Sequence, residues 1–337
     1  MKQWTHMIMA VAALSCHPLA AQTTCGIEYT TELQTDFANL NHVNLLKLTF
    51  SQHICSKIRF DLRSISIAKT RSERLIDDLQ TFSNIEEENL PFSLAVAGLT
   101  FSLGNSHLFA GIRNLNEDYF NSPVTSLFTN SSCGIFPTIS ANFPIANYPL
   151  SSLGIHYELD MESWKIQASV YNGRGYNGFT GGNSLFRFCP AADGLFGITS
   201  LNYQSHGSSY YFGGVLYHGF PAFQEQTEKK SISGALWGYI EQQLSPQLSL
   251  LAQYSAAFPS NMWCHLFGGL GLVMRFRKAE IGVFSDCAVF SGVKEFASEL
   301  TGKITVSHHV NLQPAIHLIQ GSYGFKSVVL MRLNISL

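Results

Sequence analysis

Val328-Val329-Leu330-Met331-Arg332-Leu333-Asn334-Ile335-Ser336-Leu337 alternates apolar and polar residues to its last position. Successive side chains of a strand point to opposite faces. Val329, Met331, Leu333, Ile335 and Leu337 therefore line one face, and Arg332, Asn334 and Ser336 the other. So regular an apolar face fits the closing strand of an outer-membrane β-barrel, which shows lipid one face and pairs with the first strand. The last strand of a soluble sandwich is the competing reading.

The opposite end of the chain speaks to compartment. Lys2 is the only charged residue before Glu28, Met7 to Leu14 is an apolar run, and Pro18-Leu19-Ala20-Ala21 ends in small residues. That pattern predicts a secretory signal peptide over 1–21, cleaved after Ala21. Ala13-Leu14-Ser15-Cys16 matches a lipoprotein cleavage box only in part. No run of about 18 apolar residues follows, so no transmembrane helix is expected. Residues 22–337 read as a single exported domain.

Composition narrows the class. Charged residues make up 13% of the chain, about half the roughly 25% of ordinary soluble domains. Mean hydropathy is nevertheless only +0.09, because Ser, Thr, Asn, Gln and Gly fill the gaps. Strands that are apolar towards lipid and polar but mostly uncharged towards a lumen give this balance. The 25 Phe and 13 Tyr suit aromatic girdles at the membrane interfaces. A net charge of −2 argues against nucleic acid as a partner and against strong ion selection. At about 10 residues per spanning strand plus connections, the fold expected is all-β, a closed antiparallel transmembrane barrel of roughly 14 to 16 strands.

Individual segments agree. Leu153, Ile155, Tyr157 and Leu159 alternate with Gly154, His156 and Glu158, and Trp164, Ile166, Ala168 and Val170 alternate with Lys165, Gln167 and Ser169. The short turn between them makes a hairpin. Leu248 to Tyr254, Lys303 to Ser307 and Leu312 to Leu318 repeat the alternation. Tight turns on one side and longer loops such as Asn172 to Phe188 on the other suit a barrel with short periplasmic turns. Lys69 to Asn89 is the exception, densely charged, with Leu75, Ile76, Leu79 and Phe82 at helical spacing. It reads either as an exposed loop with one short helix or as a loop folded into the pore mouth.

Chemical motifs lead nowhere sharper. Gly173-Arg174-Gly175-Tyr176-Asn177-Gly178 has dinucleotide-fingerprint spacing, but Phe179-Thr180-Gly181-Gly182-Asn183 cannot start the required helix. The adjacent pairs His308-His309 and Cys264-His265 point oppositely on strands and cannot share an ion. Neither Gly-x-Ser-x-Gly nor Cys-x-x-Cys occurs, so no enzyme, cofactor or metal is expected. Cys25, Cys55, Cys133, Cys189, Cys264 and Cys287 read as mostly isolated small apolar residues rather than a disulfide framework.

Several stretches, in order, resemble the bacterial carbohydrate-selective porins, the OprB-like family. They include Ile76-Asp77-Asp78-Leu79-Gln80-Thr81-Phe82-Ser83-Asn84-Ile85, Ala110-Gly111-Ile112-Arg113-Asn114-Leu115-Asn116-Glu117-Asp118-Tyr119-Phe120 and Leu127-Phe128-Thr129-Asn130-Ser131-Ser132-Cys133-Gly134. Tyr148-Pro149-Leu150, Val170-Tyr171-Asn172-Gly173, Gly194-Leu195-Phe196-Gly197, Tyr217-His218-Gly219 and Asn311-Leu312-Gln313-Pro314 continue the series. The resemblance implies a barrel of up to 16 strands in a Gram-negative outer membrane, passing sugars and other small solutes by diffusion. Its partners would be small sugars, outer-membrane lipid and lipopolysaccharide, and the barrel-assembly machinery. Asp77 replaces the motif glycine, Cys133 stands where an aromatic is usual, and Leu337 replaces a terminal Phe; these bear on the constriction rather than the barrel.

Sugar transit calls for aromatic faces, fixed hydrogen-bonding groups and little net charge. Arg113, Asn114 and Asn116, with Glu117 and Tyr119, are the leading pore-lining candidates. With Trp164 facing lipid, Lys165, Gln167, Ser169 and Tyr171 face the lumen, and Arg174 sits at its mouth. Arg71 and Arg74 join them if the charged loop folds inward. A non-conducting structural or adhesive barrel is the alternative function.

Overall fold

The computed structural model describes residues 22–220, 230–322 and 324–337; the expected signal peptide, 1–21, lies outside the described residues. The first strands are β1 (Thr23–Thr35), β2 (Leu40–Cys55), β3 (Ile58–Lys69) and β4 (Leu90–Leu103). There follow β5 (Ser106–Arg113), β6 (Ser152–Met161), β7 (Trp164–Asn172) and β8 (Leu195–Ser205). Then come β9 (Ser208–Gly219), β10 (Ser231–Gln243), β11 (Leu248–Phe258) and β12 (Cys264–Arg275). The last are β13 (Ala279–Phe290), β14 (Val293–Ser307), β15 (Val310–Gly321) and β16 (Gly324–Ser336).

Each strand pairs antiparallel with the next, and β16 returns to β1, so the sheet closes into a 16-stranded barrel. Closure leaves no row of unpaired backbone groups, which is what a strand-built membrane span requires. It also removes the sandwich reading. At the seam Glu28 lies opposite Ser336 and Glu32 opposite Arg332. No helix among the described residues is long and apolar enough to cross a membrane, which says nothing of crossing by strands.

The expected alternation holds on the outer wall. Ile155, Val170, Leu216, Leu236 and Leu270 are each more than half exposed there. So continuous an apolar surface marks contact with something other than water, and lipid suits a band that encircles the barrel. Trp164, Tyr203 and Tyr210 sit side by side on adjacent strands near one rim, with ring centroids 4.4 and 6.1 Å apart. At that rim the turns are short. His206 and Gly207 adopt φ of 49° and 78°, as a two-residue hairpin turn with two positive φ angles requires. The opposite rim carries the long connections 70–89, 114–151 and 173–194.

Two of those connections fold inward, and this corrects the picture of a uniformly polar lumen. On the β7–β13 side the inner face carries Phe196, Ile198, Val215, Trp237, Phe267 and Phe284, all buried. Loop 114–151 packs Phe120, Phe128, Phe136 and Phe143 against them. Ring pairs include Phe120–Trp237 at 4.8 Å, Phe128–Phe284 at 5.3 Å and Phe136–Phe267 at 5.5 Å. These strands can be apolar on both faces because the loop excludes water from the inner one.

Loop 70–89 also lies inside, with Leu75, Ile76 and Phe82 packed against Ala315, Val328 and Leu330. The short helix suggested by its spacing does not form. Its backbone donors have other partners: Leu79 and Gln80 N–H donate to the Glu295 carboxylate at 2.9 Å, and Phe82 N–H donates to Asp78 Oδ2 at 2.7 Å. Cys25, Cys133, Cys189, Cys264 and Cys287 are free, Cys133 and Cys264 being buried in the aromatic core.

Candidate permeation path

Carboxylates on the inner wall hold the inward loops by their backbone N–H groups. Glu299 on β14 accepts from Thr129 N–H at 2.8 Å and Asn130 N–H at 2.9 Å, and also from Thr129 Oγ1 at 2.9 Å. Glu241 on β10 accepts from Val124 N–H at 2.8 Å, and Glu295 from loop 70–89 as above. Asn130 Oδ1 accepts from Ser132 N–H at 2.9 Å while its Nδ2 donates to Asp286 at 3.0 Å. The two loops join through Asn84 N–H to Thr129 O at 2.7 Å and Ser132 Oγ to Gln80 Oε1 at 3.0 Å. The Phe-Thr-Asn-Ser-Ser stretch at 128–132 is thus an anchoring segment, since its polar groups are spent on holding the loop.

What the loops leave open is off-centre. At the long-loop end a cavity of 510 Å³ lies between Glu88, Phe143, Pro144 and Asn177. Below it a second, of 470 Å³, is bounded by loop 70–89, loop 114–151 and the β16–β1–β2 wall. Glu87, Ser140, Ala141, Asn147 and Tyr148 border both. A third cavity, of 330 Å³, reaches the short β6–β7 turn at Glu162 and Ser163, and Asn121 borders it as well as the second.

The walls of the second cavity are amides and hydroxyls: Gln80, Asn84, Asn116, Asn121, Ser83 and Thr30. Its charges are largely balanced. Arg332 pairs with Glu32, while Lys47 enters with no carboxylate partner among the described residues and Glu86 and Glu87 lie on the loop. Burial pushes the Glu87 carboxyl up to about 7, although Arg74 and Lys69 favour its charged form.

The sequence candidates divide between this path and the structure around it. Asn116 lines the second cavity, and Lys165 and Gln167 line the third, where Lys165 pairs with Glu158 at 3.2 Å. Arg113 makes a two-pronged pair with Asp118 and lies 4.5 Å over the Phe109 ring. Asn114 accepts from Asn116 N–H at 2.8 Å and donates to Leu150 O at 2.6 Å, which fixes the entry of the loop. Glu117 pairs with Arg63. Tyr119 and Tyr171 are each 1% exposed, and the Tyr119 hydroxyl lies 2.8 Å from Ser169 Oγ. Arg174 is exposed in the loop after β7. Arg71 and Arg74 border a separate recess beside Phe325 and Lys326. Asn121, Asn147 and Tyr148 were not among the candidates; the Tyr-Pro-Leu stretch at 148–150 signalled Tyr148 alone.

No protein-family model matches the chain, and no curated protein does. Solved structures do share its fold. The high-pH structure of OprB from Pseudomonas putida superposes with a TM-score of 0.78 at 14% identity, covering 94% of each chain. An anion-selective porin from Comamonas acidovorans gives 0.64 at 10% identity, covering 94% of this chain and all of that one. A loop-deletion mutant of OmpT, an outer-membrane protein of Vibrio cholerae, gives 0.62 at 8% identity, covering 95% of this chain and all of that one. At these identities the likeness establishes a porin-type barrel.

Proposed function

We propose that this chain is an outer-membrane porin through which carbohydrates and other small neutral solutes diffuse passively. The observation that carries the reading is the succession of three adjoining cavities from the long-loop end to the short β6–β7 turn. Neutral hydrogen-bonding groups, with the few charges of both signs present, favour polyhydroxylated solutes over ions, because each hydroxyl shed from water finds a replacement partner. The chain would be exported by residues 1–21 and inserted by the barrel-assembly machinery. Its apolar band would lie in lipid, its long loops in the lipopolysaccharide layer and its short turns in the periplasm. Chemistry on the solute has no place in this scheme.

Refolded into liposomes, residues 22–337 should cause swelling that falls with sugar size from pentoses to trisaccharides and exceeds that for amino acids of equal size. Absence of swelling from a barrel shown to be folded by heat-modifiable gel migration would overturn the proposal. The aromatic filling of the β7–β13 side favours a non-conducting structural barrel as the second reading in that event.

A further inference from the structure

We infer that the outer wall holds a site for one molecule of lipid A, the phosphorylated and multiply acylated glycolipid of the outer leaflet, in a groove across β6–β10 beneath the β7–β8 loop. From the porin reading it takes only the orientation, long loops outward, and it holds whether or not the lumen conducts. On the outer face of β7, β8 and β9, Ala168 lies opposite Thr199 and Thr199 opposite Gly214. Gly197, two positions nearer the long-loop rim, lies between Val170 and Leu216. These short side chains floor a cavity of 640 Å³ whose sides include Ile155, Leu236 and Phe258. Packing does not impose the hollow, since a Cβ on Gly197 would meet nothing beyond its chain neighbours closer than 3.8 Å. An apolar trough continuous with the lipid-facing band fits an acyl chain.

The loop supplies the headgroup end. Part of it lies against the outer wall, where Tyr176 and Leu185 pack on Leu94 and Ile112; Ile112 is on the outer side because it lies opposite Leu153. Phe179 stacks on Phe92 at 5.8 Å, and Phe186 and Phe188 are more than half exposed, as suits an interfacial position. Residues 173–194 carry Arg174 and Arg187 against Asp193 alone. That carboxylate is buried and already engaged, accepting from Asn172 Nδ2 at 3.0 Å and Arg187 Nε at 3.1 Å. The terminal nitrogens of Arg187 have no hydrogen-bond partner among the described residues, and a guanidinium edge matches a phosphate. Lys230, just before β10, donates from Nζ to Pro190 O at 2.6 Å and so brings a second cation to the same loop. The loop leaves and re-enters the wall at the Asn172–Leu195 pair, two positions above Val170–Gly197, or about 7 Å. An apolar trough with cations at its rim end has the polarity of a phosphorylated lipid.

The test is native mass spectrometry of residues 22–337, refolded in detergent free of lipid and titrated with lipid A. Wild type should bind one molecule saturably, and roughly tenfold more tightly than lipid A stripped of its phosphates. Arg187→Gln combined with Lys230→Gln should weaken binding roughly tenfold, the loss of two charge-assisted contacts. Gly197→Leu, which fills the trough from a lipid-facing position, should weaken it roughly threefold and stands in if the double variant gives no heat-modifiable band. Lys278→Gln, exposed at the short-turn end, should change nothing. Equal affinity in wild type and the folded variants would overturn the site, and phosphatidylglycerol binding as tightly as lipid A would overturn the glycolipid assignment. A lipid-free dimer broken by Gly197→Leu would give the face to a second copy instead. Liposome swelling by the same proteins decides the porin reading separately, because none of the substituted residues borders the path.

Discussion

Arg332 on the last strand forms an ion pair with Glu32 on the first, directly across the seam that closes the barrel. The same two side chains hold loop 70–89, because Arg332 also donates to Asn84 Oδ1 at 2.6 Å and Glu32 accepts from Ser83 Oγ at 2.7 Å. Closure and lumen filling are therefore linked at one point. Removing one partner of a buried pair costs about 3–5 kcal/mol, since the other is left uncompensated. Arg332→Met should lower the temperature at which the folded band disappears on semi-native gels. Adding Glu32→Gln should recover part of the loss, the signature of coupled residues; strictly additive effects would show that the pair does not act as a unit.

Glu299 is expected to control how tightly loop 114–151 is held. Glu299→Ala strips acceptors from the buried Thr129 and Asn130 N–H groups, at about 1–3 kcal/mol for each donor left unpaired. The loosened loop should raise single-channel conductance and let larger sugars enter in the swelling assay. A folded variant with an unchanged size cut-off would mean that this anchor does not define the aperture.

The two sides of the lumen should differ in thiol accessibility. Cys133 and Cys264 lie in the aromatic core and should resist a membrane-impermeant methanethiosulfonate until the barrel is denatured. A cysteine introduced at Asn121, which is exposed and borders two cavities, should react in the folded state. Rapid modification of Cys133 would place open water where the core is.

Loop 70–89 should be held more firmly in acid. Burial pushes Asp78 up to about 6 against the pull of Arg74, and Glu87 up to about 7. Both values are raised, so the folded state binds protons more readily than the unfolded chain. The stabilisation is complete below the ordinary carboxylate values and is lost as pH rises through about 6 to 7. Melting temperature in detergent should fall between pH 5 and 8, and Asp78→Asn with Glu87→Gln should flatten that fall. A wild-type profile that already runs flat would contradict the burial of these groups.

Much of the barrel was legible locally because strand geometry has period two. Val329, Met331, Leu333 and Ile335 against Arg332 and Asn334 declare both the strand and its lipid side, and the 152–170 hairpin does the same. The sixteen strands fall within the expected range for the same reason. The alternation stops being informative at Ala235-Leu236-Trp237, apolar on both faces, because the cover for the inner face is supplied by loop 114–151. Leu75, Ile76, Leu79 and Phe82 were misleading in the opposite way: their spacing suits a helix, yet a carboxylate 216 positions away takes the Leu79 N–H.

Composition and alternation thus determined the class of wall this chain builds, since composition needs no contacts at all and alternation depends only on neighbours one or two residues apart. Only the tertiary structure decided what occupies the space inside. Thr129 meets Glu299 across 170 residues, and Tyr148 borders the path because two loops with no repeating pattern are pinned against each other. A closed sheet sets which side chains face inward, but which backbone donor reaches which carboxylate is settled by the folded loops, and that choice leaves no period in the sequence to read.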